Sequence, residues 1–161
     1  MEVLDYIDVF MRNAAGAVRP SGDALFLPHW SRDDWNNLFS HTVSRSFHTR
    51  DMVIQRSVVD RTLYFVVSGT LEVGITQVDG VSVVQLARIS AGSVVGEQSF
   101  FDSQPRAANV WATSDGELRC LSLVEFEKLS LAEPILTRDL LFALGRVLSE
   151  RLRNTSFRVR R

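Results

Sequence analysis

The sequence predicts a mainly β fold with flanking helices: an antiparallel β-roll, or double-stranded jelly roll, with N-terminal helices and one long C-terminal helix. Three observations carry this. Short β-rich runs separated by turn residues recur over 43–123, and evenly spaced short strands belong to sandwiches and rolls. Helix-period patterns lie only before and after that stretch. No alternation of strand with helix supports a doubly wound parallel sheet.

The elements follow in order. Val3, Leu4, Ile7, Phe10, Met11 and Ala14 keep a helical repeat, which predicts an amphipathic helix over 2–15. Its apolar stripe is expected to pack on the domain, the alternative being a partner or a second subunit. The Gly, Pro and Ser content of 16–28 reads as a linker. Ser31 can cap a second helix through Phe39, with Asp33 and Asp34 in the first turn, where the helix dipole favours acids. Strands are predicted over 63–67, 70–76, 81–88, 107–113 and 117–123. Ser68-Gly69 and Asp79-Gly80 supply hairpin turns, since glycine accepts positive φ. A short helix over 123–129 precedes a long one over 134–154, whose apolar positions 136, 140, 141, 144, 147, 148 and 152 form one stripe. The chain thus divides into an N-terminal helix and linker (1–28), a central domain (29–155) and a basic tail (156–161).

Composition bounds the function. A chain of 161 residues, 45% hydrophobic and 23% charged, is one globular domain. A net charge of −1 gives no global attraction to nucleic acid or anionic membrane, although 146–161 holds six arginines against one glutamate. Cys120 is the only cysteine. That excludes an intrachain disulfide and a cysteine-rich metal or iron–sulfur cluster, and a reducing cytoplasm is the expected setting. No apolar run is long enough to span a bilayer, and the acidic N-terminus is unlike a signal peptide. His29, His41 and His48 lie outside the strands that line a jelly-roll pocket, so a cupin-like metal site is not expected. With no nucleophile elbow, P-loop or paired-carboxylate site, no enzyme is expected either. Trp30, Trp35 and Trp111 read as core anchors, Trp111 close enough to border a pocket.

The chemistry concentrates in 92–110, Gly-Ser-Val-Val-Gly-Glu-Gln-Ser-Phe-Phe-Asp-Ser-Gln-Pro-Arg-Ala-Ala-Asn-Val. A sugar cyclic phosphate needs a guanidinium fork for its two charged oxygens, a carboxylate to accept from its 2′-hydroxyl, and free backbone N–H groups aimed at the anion. Arg106, Glu97 and the turn after Glu97 can supply all three. Gly96 permits close backbone approach, and Pro105 stiffens the return to Arg106.

This segment resembles the phosphate-binding cassette of cyclic nucleotide-binding domains, the family of catabolite activators, protein kinase A regulatory subunits and cyclic nucleotide-gated channels. Gly92, Gly96-Glu97, the nine-residue step to Arg106 and Pro105-Arg106-Ala107-Ala108 carry the resemblance, together with Leu63-Tyr64-Phe65-Val66-Val67-Ser68-Gly69. It extends over 30–155. Arg50-Asp51 and Ser57 depart from it, standing where the family usually has Gly-Asp and another glycine, and Gln98 replaces a common aliphatic residue.

The resemblance implies that Glu97 accepts from the ribose hydroxyl and Arg106 pairs with the phosphate. Gly96, Gln98, Ser99 and Ala107 would add backbone or small polar contacts. Ala107 lacks the hydroxyl found in guanine-preferring relatives, which favours cyclic AMP over cyclic GMP as ligand, with no further cofactor. It also implies a C-terminal lid helix that covers the base and moves on binding, with Leu144, Arg146 and Leu148 as candidate caps. The expected role is a non-catalytic sensor regulating a protein partner, as a monomer or homodimer. The seven residues after Asn154 are too few for a recognition helix, so sequence-specific DNA binding is not expected. Two alternatives stand beside it. One is a degenerate member, its Glu97 and Arg106 a structural ion pair, serving as an interaction or dimerisation module. The other is the regulatory domain of a longer transporter or enzyme.

Overall fold

The computed structural model describes residues 5–20, 22–76 and 79–159, with side chains as far as Thr155. Its elements are α1 (Tyr6–Met11), α2 (Arg32–Ser40), β1 (Val43–Phe47), β2 (Met52–Ile54), β3 (Leu63–Ser68), β4 (Thr70–Thr76), β5 (Val83–Ser90), β6 (Val94–Val95), α3 (Glu97–Asp102), β7 (Asn109–Ala112), β8 (Gly116–Leu121), α4 (Leu123–Ala132) and α5 (Pro134–Val159). Two four-stranded sheets, ordered β1-β8-β3-β6 and β2-β7-β4-β5, pair antiparallel throughout. This is the antiparallel β-roll with flanking helices that the sequence predicts.

Strand β3 shows why the run Leu-Tyr-Phe-Val-Val is apolar without a break. Tyr64 and Val66 face the space between the sheets, with Phe47, Leu71, Val110 and Leu118. Leu63, Phe65 and Val67 face the other way, into a core shared with Ile7, Phe10, Trp35, Phe39, Leu140, Leu144 and Val147. A strand covered on both faces reads as a continuous hydrophobic run. The helices flanking the roll in sequence therefore cover one of its sheets in space, and α1 belongs to that core.

Helix α2 begins with the expected cap: Ser31 Oγ accepts from the Asp34 N–H while the Asp34 carboxylate accepts from the Ser31 N–H. Helix α1 is shorter than the predicted 2–15. Asp5 caps it through the Ile7 N–H, and turns replace helix after Met11; residues 2–4 lie outside the described residues. Asp79 organises its turn by accepting from the N–H groups of Val81 and Ser82. Ser68-Gly69 is not a hairpin turn. It is a corner where the chain passes from one sheet to the other. Gly69 has φ +82°, and a Cβ there would lie 2.6 Å from the Asp115 carbonyl oxygen. Trp111 is not among the residues that line the cavity beside Arg106. On β7 Val110 points inward, and the Trp111 ring turns to the opposite face, over Gly74.

Candidate functional site

A cavity of about 510 Å³ opens between the second sheet, the 95–108 segment and the last turns of α5. Its apolar wall is made by Ile54, Val73, Ile75, Leu86, Ala87, Ile89 and Val110. Its polar end is made by Gly96, Glu97, Gln98, Ser99, Arg106 and Ala107, the six residues that the motif singles out.

The backbone places these groups. Gly96 takes φ +86° and serves as the N-cap of α3. Only a residue without Cβ fits, since one there would sit 2.8 Å from Arg106 Nη1 and 3.0 Å from the Thr62 carbonyl oxygen. The first-turn N–H groups of α3 have no partner within the helix and remain available to an acceptor. The return strand is pinned at Arg106, whose N–H donates to the Val58 carbonyl while its own carbonyl accepts from Ser57.

The Arg106 side chain is 4% exposed and fixed in orientation. Nη1 donates to the Gly96 carbonyl at 3.0 Å, and Nη2 donates to Asp60 Oδ2 at 3.0 Å and to the Thr62 carbonyl at 2.7 Å. The guanidinium also lies 5.7 Å from the Tyr64 ring centroid, within cation–π range. Among the described residues its Nε–H has no hydrogen-bond partner, so the guanidinium is anchored through its two terminal nitrogens with the Nε–H left for a ligand. Burial raises the Asp60 carboxyl, but hydrogen bonds from Thr62 and Arg106 outweigh it and hold the pKa below the ordinary value. Asp60 therefore stays a carboxylate beside Arg106 at neutral pH.

Glu97 and Arg106 do not pair with each other. The Glu97 side chain is 8% exposed, and its Oε1 forms an ion pair with Arg151 Nη1 at 2.6 Å. Arg151 stands in α5 and also donates from Nε to Asp23 Oδ2 at 3.0 Å and from Nη2 to the Val94 carbonyl at 2.7 Å. Burial disfavours the guanidinium charge, yet the carboxylates of Glu97 and Asp23 raise its pKa above the ordinary value. Arg151, Asn154 and Thr155 are the α5 residues that line the cavity.

The three candidate base caps stand elsewhere. Leu144 is wholly buried in the core. Arg146 donates to the Gly22 and Ala24 carbonyls and is not among the lining residues. Leu148, half-buried, is not among the lining residues. Sequence reading missed Asp23, Asp60 and Arg151, counting Arg151 only among the six arginines of 146–161. One signal was available: 140, 144, 147 and 151 continue a single helical stripe, so Arg151 falls where another buried residue is due, and a buried cation calls for acidic partners.

Among the described residues no group of three or more His, Cys, Asp and Glu could hold a metal, and no helix is long and apolar enough to cross a membrane.

Comparison with known proteins bears on this geometry. The family described as the cyclic nucleotide-binding domain matches residues 44–132. The cAMP-activated global transcriptional regulator Vfr of Pseudomonas aeruginosa is 26% identical over 77% of this chain and 58% of its own length. The cAMP-dependent protein kinase type II regulatory subunit of Drosophila melanogaster is 31% identical over 58% of this chain and 24% of its own. The chain thus spans less than two thirds of either relative. The crystal structure of a cyclic nucleotide-binding domain from Methylobacillus flagellatus superposes with a TM-score of 0.80 at 19% identity, covering 96% of this chain and 82% of that one.

Proposed function

Since the chain belongs to the cyclic nucleotide-binding domain family, we propose that its cavity holds a cyclic mononucleotide, cyclic AMP before cyclic GMP, and that it acts as a non-catalytic cytoplasmic sensor regulating a protein partner. The observation that carries this is the placing of two buried, oppositely charged anchors, Glu97 and Arg106, on one cavity without their pairing to each other. A structural ion pair would have joined them.

The cyclic phosphate meets the free Nε–H of Arg106 and the first-turn N–H groups of α3, both fixed before the ligand arrives. The ribose 2′-hydroxyl donates to Glu97 Oε2, the oxygen that Arg151 leaves open. The purine lies on Val73, Ile75, Leu86 and Ala87, opposite Asn154 and Thr155. Ala107 offers no hydroxyl to a guanine, and the names of both curated relatives refer to cAMP. Signal leaves through α5, because Arg151 joins that helix to Glu97. For the ligand to shift α5 it must favour one of the helix's positions, and the Glu97–Arg151 contact provides that difference.

A second reading, an interaction module without ligand, draws on the outer face of α4 and α5, where Leu131, Ile135 and Phe142 are 87%, 65% and 77% exposed.

Calorimetry with each nucleotide tests the choice. Cyclic AMP is expected to bind near micromolar, about −8 kcal/mol. Arg106→Ala is expected to cost roughly 3–5 kcal/mol of that, the phosphate having lost a desolvated partner. Absence of binding at millimolar concentration of either nucleotide selects the interaction module.

A further inference from the structure

The segment ahead of α2 runs directly beside the polar end of the cavity, tied from several directions. The Leu25 N–H donates to the Gly92 carbonyl at 3.1 Å, and Ser93 Oγ donates to the Asp23 carbonyl at 2.9 Å. Arg146, from α5, donates to the carbonyls on either side of Asp23, those of Gly22 and Ala24. Backbone held this firmly delivers one carboxylate, Asp23, to Arg151 Nε at 3.0 Å.

The consequence lies in how Arg151 meets Glu97. A guanidinium facing a lone buried carboxylate tends toward the two-pronged, fork-to-fork pairing that engages both oxygens. Here the fork is divided: Nε goes to Asp23, Nη2 to the Val94 carbonyl and Ser93 Oγ, and only Nη1 to Glu97. Among the described residues Glu97 Oε2 therefore keeps no partner, although the residue is buried.

We propose that Asp23 is a positioning residue for the ribose end of the cavity: by drawing the Nε edge of Arg151 toward itself, it keeps one Glu97 oxygen free for a ligand hydroxyl. This rests on the nucleotide reading above and adds to the ribose end of the site a residue from outside both the cassette and α5. Without Asp23 the guanidinium rotates onto both Glu97 oxygens and the hydroxyl loses its acceptor, while phosphate and base contacts are untouched.

The test is calorimetry of cyclic AMP and its 2′-deoxy analogue on the wild type, Asp23→Ala and Asp23→Asn, with melting temperatures alongside. The wild type is expected to prefer the 2′-hydroxyl compound about tenfold or more, the range of a hydrogen bond to a charged acceptor. Asp23→Ala is expected to reduce that preference to about twofold or less by weakening cyclic AMP alone. Asp23→Asn, which keeps an oxygen acceptor for Nε, is expected to recover most of it. A preference unchanged in Asp23→Ala overturns the positioning role and leaves the nucleotide reading standing. Equal weakening of both compounds with a lowered melting temperature also overturns it, marking Asp23 as a structural tether. Binding of neither compound by the wild type removes the nucleotide reading, and this inference with it.

Discussion

Arg50, Ser57 and Ser103 hold left-handed backbone, with φ of 77°, 72° and 56°. Two of them, Arg50 and Ser57, stand where the family resemblance leads one to expect glycine, and the turns keep the glycine-like conformation despite the side chains. Ser57 bears directly on the site, since its N–H donates to the Arg106 carbonyl at 2.9 Å. A left-handed L-residue costs roughly 1–2 kcal/mol, and the greater freedom of unfolded glycine offsets about 0.5–1 of that. Ser57→Gly is therefore expected to stabilise the fold by about 0.5–1 kcal/mol, read as a higher urea midpoint at unchanged slope. Nucleotide affinity should not move, because the Arg106 carbonyl keeps its donor. Gly96, Glu97 and Arg106 were legible as a site because eleven residues contain the whole pattern. Asp60 and Asp23 were not. They lie 46 residues from Arg106 and 128 from Arg151 respectively, and no local spacing joins them.

Helix α5 shows where periodicity misleads. Its seven apolar positions read as one stripe, but they divide between two faces. Leu136, Leu140, Leu144 and Val147 are buried, whereas Leu141 and Leu152 are exposed on the outer side with Phe142. Gly145 lies on that outer side, and a Cβ there would meet nothing within 4 Å. Glycine inside a helix costs roughly 0.5–1 kcal/mol relative to alanine. Gly145→Ala is expected to return about that much, measured as a rise in melting temperature with nucleotide affinity unchanged. Strands β1, β2 and β6 were not legible as separate elements. Four of the five β1 residues are exposed, β2 has three residues and β6 two. Each is a strand because a neighbour pairs with it, so the signal sits in the neighbour's sequence.

Across the whole molecule, the N-terminal helices and α5 share one hydrophobic core with the outer side of β3. Phe10 is its clearest link, with ring centroids 5.4 Å from Trp35, 5.2 Å from Phe39 and 6.0 Å from Phe65. Phe10→Ala is expected to cost about 3–5 kcal/mol. Unfolding should remain a single transition with its midpoint lowered as a unit, whereas an early separate phase would show that α1 is an appendage. Apolar runs and turn residues suffice to read a roll with helices before and after it, because burial and backbone freedom act over a few residues. The cassette reads equally well, since one short loop has to carry its glycine, carboxylate and guanidinium. Tertiary structure decided the rest: which helix residues reach the cavity, that Glu97 pairs with Arg151 rather than Arg106, and that a linker carboxylate joins them. A buried charge is satisfied by whatever opposite charge folding brings within about 3 Å, and that neighbour can come from anywhere in the chain.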